Sequence, residues 1–142
     1  MNAMQDWCEI LATSLPTARA VEFVQDALAG GVAVFLGTIR AEGNAAGQSL
    51  LALDYEAYGD MVMRQLAELA ARAREKWPVI KLVILHRTGR VGLAEPSVVI
   101  ALSTPHRGEA FDACEWLIDT LKKEVAIWKR EVWADGTGSW VG

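Results

Sequence analysis

Lys122 and Lys129 lie seven residues apart near the end of the chain, the second within Trp128-Lys129-Arg130-Glu131. A lysine set beside apolar walls has its ammonium destabilised and can serve as acid, base or nucleophile. The ordinary alternative is that Lys122-Lys123 complements the negative end of a helix dipole. A second cluster is Thr104-Pro105-His106-Arg107, where a strand gives way to a helix. Free backbone N–H groups and the helix dipole favour an anion there. Arg107 adds a bidentate donor suited to phosphate or carboxylate; otherwise the segment is a capped helix with a solvated arginine. Arg40 stands at the mouth of a Gly-rich loop, where a cation could meet an incoming anion or simply be solvated.

His86-Arg87 is another His-Arg pair at a strand end. If the two strands form a hairpin, the ends carrying the two pairs point in opposite directions and do not line one pocket. The pair at the helix start is favoured for the site, and His86-Arg87 reads as structural or interfacial.

The elements that must position these groups follow from periodicity. Trp7 to Thr13 reads as a strand, and Pro16-Thr17 starts a helix through Val21, Val24 and Leu28, closed by Gly30-Gly31. Val32 to Leu36 is a buried strand, Arg40 to Gln48 a loop, and Leu51 to Tyr55 another strand. Gly59 to Trp77 is the clearest helix, with Val62, Leu66, Leu69, Ala70 and Ala73 on one stripe. Pro78 ends it. Lys81–His86 and Ser97–Ser103 are β-rich and are joined by a connection containing Gly89, Gly92 and Pro96. A second long helix starts at Thr104-Pro105, with threonine as N-cap, and buries Phe111, Cys114 and Leu121. The segment from Ile127 to Val141 reads as a strand and a Gly-punctuated turn; its three tryptophans suit a core or a partner.

Irregular alternation of these elements predicts one α+β domain spanning residues 1–142, with a mostly antiparallel sheet and two long helices. The net charge of −4 disfavours a nucleic-acid partner, which needs many cationic phosphate contacts. No apolar run approaches the roughly 18 residues that span a bilayer. The N-terminus lacks a secretory pattern, so the expected location is cytoplasmic. Cys8 and Cys114 form no metal-binding pattern and read as small buried hydrophobes. A cysteine transferase pairing Cys114 with His106 is disfavoured, because the two lie eight residues apart on one helix.

In order along the chain come Phe35-x-Gly37-x-x-Arg40, Leu53-x-Tyr55-Glu56-x-Tyr58 and His86-Arg87-x-Gly89. Ser103-x-x-His106-Arg107, the helix face from Phe111, and Lys122 with Trp128-Lys129-Arg130-Glu131 follow. Together, from about Val32 to Trp140, they resemble the molybdopterin synthase large-subunit family. The sequence departs from that pattern at Ala126, where the family usually has proline, and at Ala94-Glu95, where a Gly-acid pair is common.

The resemblance implies an α/β hammerhead-type fold and a homodimer at the centre of a heterotetramer. It implies a small ubiquitin-like sulfur-carrier partner whose C-terminal Gly-Gly thiocarboxylate threads into a pocket. The implied substrate is cyclic pyranopterin monophosphate (precursor Z), sulfurated without a metal or organic cofactor. Arg40, His106 and Arg107 would hold the phosphate, and Arg130 would be a further substrate-binding cation. Lys122 and Lys129 would be catalytic, neutralising the thiocarboxylate and moving protons. The alternative function is a non-catalytic docking module for a ubiquitin-like tail.

Overall fold

A computed structural model describes residues 5–138 and 140–141. Strands β4 (Lys81–Arg87) and β6 (Pro96–Thr104) are buried along almost their whole lengths, because both faces of their sheet are covered. They pair antiparallel from Lys81↔Ser103 to His86↔Val98. Strand β2 (Gly31–Thr38) joins β6 antiparallel and β1 (Asp6–Leu11) joins β4 parallel, giving the order β1-β4-β6-β2.

A second sheet has the order β5-β3-β7-β8 and is antiparallel throughout. Its strands are β3 (Leu50–Ala57), β5 (Gly89–Gly92), β7 (Ile127–Trp133) and β8 (Trp140–Val141). The fold is therefore α+β with dominant antiparallel pairing, as expected, but the strands divide into two sheets rather than one. The division occurs just after β4. Gly89 takes φ +83°, a left-handed conformation that glycine adopts without steric cost, and the following residues pair with β3. What reads as a bare connection between β4 and β6 thus contains a strand.

Helices α2 (Gly59–Lys76) and α3 (Arg107–Glu124) cover one face of the first sheet. Val62, Leu66, Leu69 and Ala73 recur at helical spacing and meet Leu82, Ile84, Ile100 and Leu102. Truncating a side chain such as Leu66 or Ile100 to alanine costs about 2–5 kcal/mol, the transfer loss plus the cavity. Helix α1 (Thr17–Val24) covers the other face, with Ala20 and Val24 against Val83, Leu85, Val99 and Ala101. Ile39, Leu50, Leu53 and Val91 form a third apolar cluster on the second sheet.

Pro78 follows the end of α2 as expected, but both other helices differ from their sequence pattern. α1 stops at Val24 instead of reaching Leu28. The Asp26 carboxylate accepts the Leu28 N–H at 2.9 Å, offering the backbone a turn in place of another helical bond, and leaves Leu28 exposed. α3 begins at Arg107 with His106 as N-cap, not at Thr104-Pro105. Thr104 ends β6, and its hydroxyl donates to the His106 carbonyl at 2.6 Å. Gly30-Gly31 is not the closing turn of α1. It is the seat on which the start of α3 rests: a Cβ on Gly31 would lie 2.7 Å from the Arg107 Cα.

Candidate active site

A cavity of about 600 Å³ is lined by both sheets and by the last turns of α3. Each lining element contributes by its own period. On α3, Ile118, Leu121 and Lys122 fall on one helical face, and Val125 follows as the C-cap. On β7, Ile127, Lys129 and Glu131 alternate inward, and on β3 so do Leu53 and Tyr55. Arg40 leaves the end of β2, anchored by buried Ile39, with its side chain 87% exposed and its guanidinium 3.7 Å from the Glu42 carboxylate.

Three of the residues singled out from sequence, Arg40, Lys122 and Lys129, therefore share this cavity. Lys129 is exposed rather than walled in by apolar groups, and it stands directly opposite Tyr55 in the β3–β7 register. Glu42 and Glu131 are the lining carboxylates. Cations outnumber them, so an acidic chain presents a locally positive recess suited to an anion.

His86, read from sequence as structural, lines this same cavity. It is 5% exposed, and its Nδ1 lies 2.8 Å from the Arg87 carbonyl. A carbonyl only accepts, so Nδ1 carries the proton and Nε2 keeps a free lone pair. Burial holds the imidazole below its ordinary pKa, opposed in part by the bond to the Arg87 carbonyl. Tyr55 meets the His86 ring edge-on, with centroids 5.0 Å apart. Burial raises the Tyr55 phenol, while a hydrogen bond with the Ser97 side chain opposes the rise. The signal for His86 was present in the pattern: Leu82, Ile84 and His86 share one strand face, the face turned to the α2–α3 core.

His106 and Arg107 line a separate, shallower pocket with Gly30 and Phe111. The expected opposition of the two His-Arg pairs holds, because β4 and β6 run antiparallel, but it is His86 that joins the lysines. Arg130 does not line the cavity. Strand alternation turns it to the opposite face of β7, where it faces Asp54 in register and helps to lower that carboxyl, after the larger effect of the Arg90 hydrogen bond.

Cys114 lines neither pocket, and burial pushes its thiol up to about 11; burial and nearby Asp6 push Cys8 up to about 12. Neither is placed as a thiolate nucleophile. Among the described residues, no group of three or more His, Cys, Asp or Glu is placed to hold a metal. Among the same residues, no helix is long and apolar enough to cross a membrane.

A small α+β domain with a cation-lined cavity and paired lysines defines an enzyme-like site for an anionic substrate. The particular family follows from comparison with known proteins. The family model described as "MoaE protein" matches residues 10–124, and the chain belongs to this family. A relative from Thermoplasma volcanium, named molybdopterin synthase catalytic subunit, is 45% identical over 79% of this chain and 80% of its own length. One of the same name from Bacillus subtilis is 40% identical over 94% of this chain and 83% of its own. The crystal structure of molybdopterin synthase from Staphylococcus aureus superposes with a TM-score of 0.88 at 37% identity, covering 94% of this chain and 96% of that one. The expected family and enzyme class, a sulfurtransferase of molybdopterin synthesis, stand.

Proposed function

We propose that this chain, as one domain over residues 1–142, is the catalytic subunit of a cytoplasmic molybdopterin synthase. In this reading it takes sulfur from the C-terminal thiocarboxylate of a small ubiquitin-like carrier and places it on precursor Z, forming the dithiolene of molybdopterin. The observation that carries the reading is the meeting of Lys122, from α3, and Lys129, from β7, in one cavity with Arg40 at its mouth. A thiocarboxylate and a cyclic phosphate are both anionic, and three cations against two carboxylates make this recess suited to them. The relatives' name, a catalytic subunit, supports a second chain as the sulfur source.

Each lysine can donate a proton and neutralise charge as the thiocarboxylate sulfur attacks and the cyclic phosphate opens. Arg40 meets the incoming anion. His106 and Arg107 form a second anion-receiving surface at the start of α3, apart from the lysines in the single protomer. The exposed Val32, Val34 and Leu36 on edge strand β2 support the homodimer, since an unpaired apolar edge favours pairing with another chain. Reconstitution with a thiocarboxylated carrier and precursor Z tests the reading, using Lys122→Ala and Lys129→Ala as controls. We expect product only with all three components, and a loss of about 10²-fold or more in each variant with melting unchanged. Wild-type protein that binds the carrier yet yields no product refutes the assignment and favours a docking module.

A further inference from the structure

The sulfur reaction leaves a chemical demand that the lysines do not meet. Once the thiocarboxylate sulfur has bonded to the pterin, the carrier's acyl carbon is still attached to it as a thioester. Releasing the carrier requires a water oxygen to bond to that carbon and the C–S bond to break. The water must lose a proton, and ammonium or guanidinium groups have no lone pair to take it.

One uncharged nitrogen base borders this cavity among the described residues. His86 is fixed by its Nδ1–H on the Arg87 carbonyl, 2.8 Å away, and by the Tyr55 ring packed against it. This resembles the way an oriented imidazole is held in one tautomer by a third group. Nε2 is left as its free acceptor. Resting on the sulfur-transfer reading above, we infer that His86 is the catalytic base that releases the carrier, its Nε2 taking a proton from the attacking water. As the water oxygen bonds to the acyl carbon, the C–S electron pair leaves on sulfur as the pterin thiolate, and the carrier departs as a carboxylic acid whose remaining proton passes to solvent.

The surroundings suit that role. Tyr55 faces the imidazole from β3, and His86 stands in register with Val98 on β6 and Ile10 on β1. The charged groups around the same cavity are Lys129 and Glu131 from β7, Lys122 from α3, and Arg40 with Glu42 after β2. Adjacent Arg87 is tied to Glu95 at 3.2 Å. Burial keeps the imidazole neutral near pH 7 and ready to accept, against the opposing pull of the Arg87 carbonyl.

The test is a single-turnover reaction of the enzyme with thiocarboxylated carrier and precursor Z, followed by intact-mass spectrometry of the carrier. In His86→Gln, which keeps an acceptor oxygen but cannot act as a base near neutrality, turnover should fall about 10²-fold or more. The carrier should accumulate as a pterin thioester adduct, a species that mere loss of structure would not produce. Should His86→Gln not fold, the wild-type enzyme gives the second readout: below the ordinary imidazole value of 6.5, adduct should build up as pH falls. Turnover near wild type in His86→Gln, or slow turnover with no adduct, overturns the role. So does a wild-type acid profile without adduct. Failure of the sulfur-transfer reading itself would look different, because the wild-type enzyme would then form neither adduct nor product.

Discussion

Tyr55 and Lys129 are direct partners across the antiparallel β3–β7 pair, and the same Tyr55 ring closes edge-on over His86. One tyrosine therefore links the exposed amine of the second sheet to the buried imidazole of the first. Its ring supplies packing, and its hydroxyl lies close enough to the Ser97 side chain to offset part of the rise in its own pKa. Replacing Tyr55 with phenylalanine separates the two. The ring and its contact with His86 remain, while the polar approach of the hydroxyl to Ser97 is lost, at a cost of no more than about 0.5–1.5 kcal/mol. Urea unfolding should register that loss, and an unchanged midpoint would show that the hydroxyl contributes nothing.

The buried imidazole also ties stability to pH. Its folded pKa lies below the ordinary 6.5, so the unfolded chain binds the proton more readily. His86 therefore contributes its full stability above pH 6.5 and loses it as pH falls through the lower folded value. Melting temperatures of wild type and His86→Gln should converge, or cross, on acidification from that point. Parallel curves over the same range would show that His86 does not couple to folding. Tyr55 acts in the opposite direction: its raised phenol gives stability that is complete below the ordinary value of 10.0 and lost as pH rises beyond it.

Ala126, where the family pattern has proline, changes how α3 hands the chain to β7. Its N–H donates to the Gln65 Oε1 at 2.9 Å, and the Gln65 amide in turn donates to the Glu124 carbonyl at 3.1 Å. Gln65 thus clasps both sides of the turn that separates Lys122 from Lys129. Gln65→Ala should cost about 1–2 kcal/mol through these two bonds. On an Ala126→Pro background the cost should shrink, since proline has no N–H to donate. A double-mutant cycle measures the coupling, and strictly additive losses would disprove the clasp.

The readable parts of the molecule are those where one local rule decides. The apolar stripe of α2 and the stop at Pro78 need no distant partner, and the same holds for the α3 face that carries Lys122. Arg40, Lys122 and Lys129 were legible as cations, but their meeting depends on β3–β7 pairing and on where α3 ends. Arg130 shows the limit plainly. It sits next to Lys129 in sequence, yet a strand turns neighbours to opposite faces. Gly30-Gly31 carried the right residue type for a helix stop, while their real constraint, the close approach of Arg107, comes from a segment more than seventy residues away. The choice between the two His-Arg pairs turns on which strand end the second sheet approaches, which no local pattern shows, and the structure puts His86 on the cavity with the lysines.

Ala94 is the other departure from the family pattern, and here the backbone shows the consequence. Its φ is +67°, in the left-handed region that glycine occupies freely and alanine does not. The turn is held there by its hydrogen bonds. Ala94 N–H donates to the Ile39 carbonyl at 2.8 Å, and the Gly92 N–H donates to the Glu95 carboxylate at 2.8 Å. That bond and the one from Arg87 hold the Glu95 carboxyl below its usual range. An L-residue in this conformation costs about 1–2 kcal/mol, and glycine gives back about 0.5–1 kcal/mol in unfolded-state entropy. Ala94→Gly should therefore stabilise the protein by about 0.5–1 kcal/mol, visible as a higher guanidinium midpoint with an unchanged slope. Turnover should stay at the wild-type level, because Ala94 does not line the cavity and its bond to Ile39 uses only the backbone. A lower midpoint would mean that the alanine methyl makes contacts worth more than the strain it carries.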